Sequence, residues 1–309
     1  MSWLLLALVV AVGALLVSHR ASLLRRELPQ HHHEPFDGLL YRVGEATVAE
    51  RRSESPRATV LCMHGFVEDL RYFTRYYRDP DLQLIVVTGG DYHVAVRDPV
   101  FAAAAWVRAP TSRPASIAYD AEVLVQALAN LPRTKVVRVH GHSRGGAVVL
   151  EAASMRPDLF ADVEVLLEAP VLPKGRLFSA LSPVALWLYP FFIGVWRKEP
   201  LHRRFAQGYG ALTDARKREL LSGMPFNPRH ISTLVANVHD LNAWMATRDA
   251  SVFQHVRRGW ILIASDDRVL SAEAMRESAL GAGPALETLN VEGASHFILL
   301  DRPDVIPPL

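Results

Sequence analysis

Gly141, His142, Ser143, Arg144 and Gly145 form a cluster whose residue types and spacing specify a reaction. The pattern is G-x-S-x-G, set between a β-rich run, Lys135 to His140, and an alanine-rich helical stretch, Arg144 to Met155. A serine on so sharp a strand-to-helix turn leaves no room for bulky neighbours, hence the flanking glycines. The turn pushes the hydroxyl into the open above the sheet. Such a hydroxyl can attack an acyl carbonyl once a base removes its proton. Other chemistry-bearing residues carry less. Cys62, the single cysteine, can form neither an intramolecular disulfide nor a thiolate cluster. His31, His32 and His33 precede Glu34 in a stretch bounded by Pro29 and Pro35. Neighbours in sequence rarely converge on one ion, so this run reads as a solvated loop. His93, His140 and His142 read as structural or pocket-lining.

The elements that must position Ser143 are legible as an alternation. Thr59 to Met63, Leu84 to Thr88, Lys135 to His140, Val163 to Leu167 and Trp260 to Ala264 are buried-strand candidates, being short apolar runs rich in β-branched residues. Ala118 to Asn130, with Asp120 and Glu122 in its opening turn, and Arg144 to Met155 read as helices. Strands alternating with helices predict an α/β fold with a mostly parallel sheet flanked on both faces. The chain has 309 residues, half of them apolar and 21% charged, which excludes disorder, collagen and coiled coil and allows ample core. No internal repeat is visible.

With the elbow in that setting, the chain from about Ala58 to Asp304 resembles the α/β-hydrolase fold family. The resemblance implies roles for further residues. His64, Gly65 and Phe66 follow the strand ending at Met63 as the family's His-Gly pair does, and backbone N–H groups of Phe66 and Arg144 would form the oxyanion hole. Ser265 to Val269 resembles the family's acid loop, where Asp267 fits the slot better than Asp266. Glu168, at the other strand end from which some members draw their acid, is a third candidate. Gly293 to Phe297 is similar to the histidine loop and makes His296 the base. The chain order Ser143, Asp267, His296 is the hydrolase order. The implied mechanism is acyl transfer to Ser143 and hydrolysis of the acyl-enzyme, with no metal or organic cofactor. A serine at the elbow argues against the dehalogenases and epoxide hydrolases of this fold, which use a carboxylate there. The family usually closes with a long helix after the histidine loop. Here 13 residues follow His296, and Pro303, Pro307 and Pro308 allow one or two turns at most.

The organisation expected is an N-terminal membrane anchor over 1–26, a linker over 27–38, a core made of 39–170 and 257–309, and a helical cap over 171–256. Trp3 to Val17 is uninterruptedly apolar, and with Ser18 to Leu24 it reaches about 33 Å as a helix, enough for a short span. No Lys or Arg precedes the run and no suitable pair of small residues follows it, which favours an uncleaved anchor over a signal peptide. Arg20, Arg25 and Arg26 follow it, favouring a cytoplasmic-facing body. Removing these three leaves 31 basic against 32 acidic residues, a neutral body without a nucleic-acid footprint. Within the cap, Leu177 to Trp196 carries no charge. A crossing there would put Ser143 and Asp267 on opposite sides of a bilayer, so it reads as a lid, with Pro183 and Pro190 expected to break it into short helices. The functional expectation is a membrane-anchored serine hydrolase of carboxylic esters, with lipid or lysophospholipid esters as substrates. Acyl transfer, thioester or carbon-carbon bond hydrolysis by the same residues is the alternative, and a scaffold or signalling protein that kept the fold is the alternative of another class.

Overall fold

The strands read from apolar runs are present in the computed structural model with boundaries moved by at most two residues. The structure describes residues 3–26, 33–178, 182–198, 201, 206–222 and 228–309, with the backbone alone described for 193–198, 206, 207 and 228. Part of the linker, including His31 and His32, and parts of the cap, including the Trp196 side chain, thus lie outside the described residues. Among the described residues, β1 (Leu39–Val43), β2 (Ala46–Arg51), β3 (Ala58–Met63), β4 (Leu82–Thr88), β5 (Val137–His142), β6 (Glu164–Glu168), β7 (Gly259–Ala264) and β8 (Leu286–Val291) form one sheet. Its order is β1-β2-β4-β3-β5-β6-β7-β8. From β4 to β8 every pairing is parallel, while β1 and β2 add an antiparallel hairpin on one side.

The helices in chain order are α1 (Trp3–Leu24), α2 (Arg71–Thr74), α3 (Ile117–Asn130), α4 (Arg144–Met155), α5 (Pro183–Lys198), α6 (Ala206–Tyr209), α7 (Ala215–Ser222), α8 (Ile231–Thr247), α9 (Ala272–Ala279) and α10 (Ile298–Asp301). α3 starts where Ser116 accepts a hydrogen bond from the N–H of Tyr119, which satisfies one of the donors a helix start leaves free. The central strands alternate their side chains between two apolar layers, which is why they read as continuous apolar runs. Leu61, Met63, Val139, Val165 and Ile261 pack with α3, α4 and α9 on one face. On the other, Val60, Cys62, Val86, Leu166 and Leu262 meet Tyr72 and Phe73 of α2, Leu220 and Leu221 of α7, and the C-terminal Phe297, Ile298, Leu299 and Ile306. The second layer is therefore closed by α2, α7, α10 and the C-terminal segment. The Arg138 guanidinium donates to the carbonyls of Pro307 and Pro308 at 2.7 Å each and ties that segment down.

α5 to α8 lie between β6 and β7, where the cap was expected. One expectation fails here: Pro183 and Pro190 do not break the segment, because α5 runs continuously from Pro183 through Pro190. Pro183 occupies the first helical position, where its missing N–H costs nothing. Pro190 removes one internal hydrogen bond without ending the helix.

α1 is long and apolar enough to cross a membrane by length and composition, with mean hydropathy 2.1 and none of its apolar window buried. Its last turns touch the body. The Arg20 Nε donates to the carbonyl of Trp187 at 2.9 Å, and its guanidinium lies 5.5 Å from that indole ring. His19 lies 5.8 Å from the Phe191 ring.

Candidate active site

Ser143 follows β5 and precedes α4 with φ 53° and ψ −120°, a conformation costly to a residue with a Cβ. The turn is possible because glycines stand where the backbones pack against it. A Cβ on Gly145 would lie 2.1 Å from the carbonyl oxygen of Met63, and one on Gly65 would lie 2.8 Å from the Ser143 Cβ. The loop after β3 and the elbow after β5 are thereby pressed together, which parallel pairing of β3 with β5 requires. Arg144 is the first residue of α4, so its N–H belongs to the turn that has no intrahelical acceptor. Among the described residues no hydrogen bond engages the N–H of Phe66 either. Phe66 lines the same cavity as Ser143, and Arg144 follows Ser143 at the positive end of α4.

His296 and Asp267 are brought together from the loops after β8 and β7. His296 Nδ1 and Asp267 Oδ2 are 2.7 Å apart, and Asp267 Oδ1 accepts from the N–H groups of Val269 at 2.7 Å and Leu270 at 2.9 Å. Burial alone would raise the Asp267 carboxyl, but the adjacent His296 and these two N–H donors outweigh it and hold its pKa below the usual value. An ionised carboxylate only accepts, so the proton of this contact is on Nδ1. The other acid candidates do not reach His296. Asp266 is exposed. Glu168 is fully buried and takes its hydrogen bonds from Tyr72 Oη at 2.5 Å, His140 Nε2 at 3.0 Å and the N–H of Leu299 at 2.7 Å.

Ser143 and His296 line one cavity of about 290 Å³. Its other walls are almost wholly apolar: Ala185, Leu186 and Tyr189 from α5, Leu234, Val235 and Val238 from α8, with Phe66, Val67, Tyr209, Val269 and Phe297. Among the described residues no hydrogen bond joins Ser143 Oγ to His296. Contacts of this kind are often long before substrate is bound and tighten in the complex. The arrangement places a serine hydroxyl and an imidazole held by a carboxylate in one mostly apolar cavity.

Behind this constellation lie further buried groups, of which Glu68 and Lys217 were not singled out from the sequence, while His140, His142 and Cys62 were named there without a catalytic role. Glu68, three residues after Gly65, lines the cavity, and its Oε2 accepts from the N–H of Gly65 at 2.7 Å and lies 2.8 Å from His142 Nδ1. His142 Nε2 lies 3.0 Å from the carbonyl oxygen of His296. Both partners are acceptors, so His142 satisfies them only as an imidazolium. Desolvation opposes that charge, yet the Glu68 and Glu168 carboxylates prevail and raise the His142 pKa to about 9. His140 is the opposite case. Burial dominates and lowers its pKa, and a neutral ring can donate from Nε2 to Glu168 while Nδ1 accepts from Tyr77 Oη at 2.9 Å. Lys217 of α7, also buried, donates to Ser295 Oγ at 3.1 Å and to Asp301. Cys62 is buried on β3, and desolvation pushes its thiol pKa well up.

The alternation of strands, the elbow and the loop-borne histidine are those of an α/β hydrolase, and comparison with known proteins agrees. The model of the alpha/beta hydrolase family matches residues 60–306, and the chain belongs to that family. Solved structures with the same fold include one assigned as a lipase from Acinetobacter baumannii, with TM-score 0.59, 16% identity, and coverage of 94% of this chain and 92% of that one. Another is the 2-hydroxy-6-oxo-6-phenylhexa-2,4-dienoate hydrolase from Rhodococcus, with TM-score 0.59, 14% identity, and coverage of 86% and 94%. A lipase-esterase related protein from Clostridium acetobutylicum gives TM-score 0.55 and 14% identity over 83% and 94%. No curated protein matches by sequence.

Proposed function

We propose that the protein is a membrane-anchored serine hydrolase of carboxylic esters, acting on lipid or lysophospholipid esters. The observation that carries the reading is the Asp267–His296 hydrogen bond of 2.7 Å beside a cavity that also holds the strained Ser143. In this reading His296 Nε2 takes the Ser143 proton as Oγ attacks the ester carbonyl. The amides of Phe66 and Arg144 hold the resulting oxyanion, each such donor being worth about 3 kcal/mol of barrier. The tetrahedral intermediate expels the alcohol, which receives the proton from His296, and water then attacks the acyl-enzyme by the same route. The apolar walls of the cavity favour an acyl chain as the group bound there. α1 is the anchor in this reading, and the arginines at its carboxyl end favour a body on the cytoplasmic side.

Labelling by a fluorophosphonate probe tests the chemistry. The full chain should label covalently and Ser143→Ala should not, whereas an active enzyme that fails to label would overturn the assignment. A series of p-nitrophenyl esters tests the substrate class. Activity should extend to medium and long acyl chains, and activity restricted to short chains with none on micellar phospholipid would sink the lipid reading.

A further inference from the structure

From Pro183 to Phe192 α5 carries no charged side chain, and apolar residues lie on every side of that stretch. Ala185, Leu186 and Tyr189 face the cavity, which accounts for one side of the helix. The rest is unexplained in water: Val184 is 66% exposed, Phe192 58% and Trp187 39%, with Phe178 at 48% ahead of α5. A helix apolar all round belongs in a core or against lipid, and exposed apolar patches of this kind mark an interaction surface. α1 says which one. Its uninterrupted apolar run ends at Val17, and the next residues, His19 and Arg20, are the ones that touch Phe191 and Trp187 of α5. A bilayer crossed by α1 would therefore have its headgroup boundary at the level of α5, the depth at which tryptophan and snorkelling arginine are favoured. Leu24, at the end of α1, packs with Ile231, Tyr189 and Val67, two of which also wall the cavity. Arg25 and Arg26 at the end of α1 are exposed, and Arg268 lies 5.0 Å from the Phe178 ring, which sets cations around the patch at phosphate depth.

We infer that the outer face of α5 is a second membrane contact, lying in the interface beside the base of α1, and that the cavity opens toward the bilayer that holds α1, so that ester substrate enters from lipid. The inference rests on the anchor reading of α1. α5 then acts as an interfacial helix, with one side in the headgroup boundary and the other lining the acyl cavity.

Depth measurements on the full chain in vesicles of phosphatidylcholine with one-fifth phosphatidylglycerol test this. The native thiol is buried and gives no labelling background, so Val184→Cys and Phe192→Cys can be spin-labelled singly, with Leu280→Cys, at a site 85% exposed outside this patch, as control. The expected result is that labels at 184 and 192 are several-fold more accessible to oxygen, relative to an aqueous nickel chelate, than the label at 280. Retention of the chain in alkaline carbonate with all three labels equally aqueous would overturn the inference and leave the anchor reading standing. Release by carbonate would overturn both. Shielding from both reagents, with spin–spin broadening that fades on dilution with unlabelled chain, would mean that a second copy covers the face and would also overturn it.

Discussion

Asp267 holds His296 through one oxygen and is itself held by Val269 and Leu270 through the other, so a change confined to its charge should leave the loop in place. Asp267→Asn is expected to lower kcat on a soluble ester by about 10⁴-fold, since an amide favours the wrong histidine tautomer, with the melting temperature nearly unchanged. Asp266→Asn, at an exposed position, should cost far less, and a reversed ranking in steady-state assays would move the acid. His142 makes a prediction of opposite pH sense. Its pKa is raised to about 9 from an ordinary 6.5, so its contribution to stability is fully present below pH 6.5 and is lost as pH rises through about 9. A raise of that size corresponds to on the order of 3 kcal/mol. Denaturant midpoints measured between pH 6 and 10 should fall for the native chain and much less for His142→Gln. A flat native profile would mean that the ring behind His296 is neutral. The lowered Asp267 and Glu168 carboxyls act at the other end, where their contribution is lost as pH falls below the ordinary carboxylate range.

Elements differ in how openly they declare themselves. The elbow was legible because backbone contact enforces it: no residue but glycine fits where a Cβ would meet the Met63 carbonyl oxygen at 2.1 Å. β3 to β7 were legible because burial on both faces makes them apolar runs. β1 and β2 escaped notice because Leu39–Val43 and Ala46–Arg51 interleave Arg42, Thr47 and Glu50 with their apolar residues, and the buried Glu50 is explained by the Tyr41, Arg52 and Gln83 side chains that the fold brings to it. α5 was misread at Pro190, where a penalty of one hydrogen bond was taken for a helix end. Lys217 carries no local signal at all, since its partners Ser295 and Asp301 are 78 and 84 residues away. That lysine links α7 to the loop that carries His296, because Asp301 also accepts from the N–H of Ser295 at 2.8 Å and from its hydroxyl at 2.6 Å. Lys217→Met should destabilise the fold by about 3 kcal/mol, as removal of one partner from a buried pair does. It should also slow turnover on soluble esters by loosening the residue next to His296. Adding Asp301→Asn should recover part of the stability. Loss of stability with kcat intact would show that cap and loop are energetically joined but catalytically independent.

At the scale of the whole molecule, two kinds of surface coexist. The body outside residues 1–26 is nearly neutral with a sheet enclosed by two apolar layers, whereas α1 buries none of its side chains. Neither of the two main core clusters includes a residue of α1, and only Leu24 enters a small third one. Deleting residues 1–26 should therefore leave the body folded with kcat/KM on a monomeric short-chain ester nearly unchanged. Activity on lysophospholipid presented in vesicles should behave differently. An anchored enzyme meets its substrate at the high local concentration of one surface, an advantage of about a hundredfold when tethering geometry is favourable, and the truncated chain would lose it together with the Arg20 and His19 contacts to α5. Parallel assays of both substrates for the two chains decide the matter: a drop confined to vesicles is the expected result, and an equal drop on both would make α1 a structural part of the site.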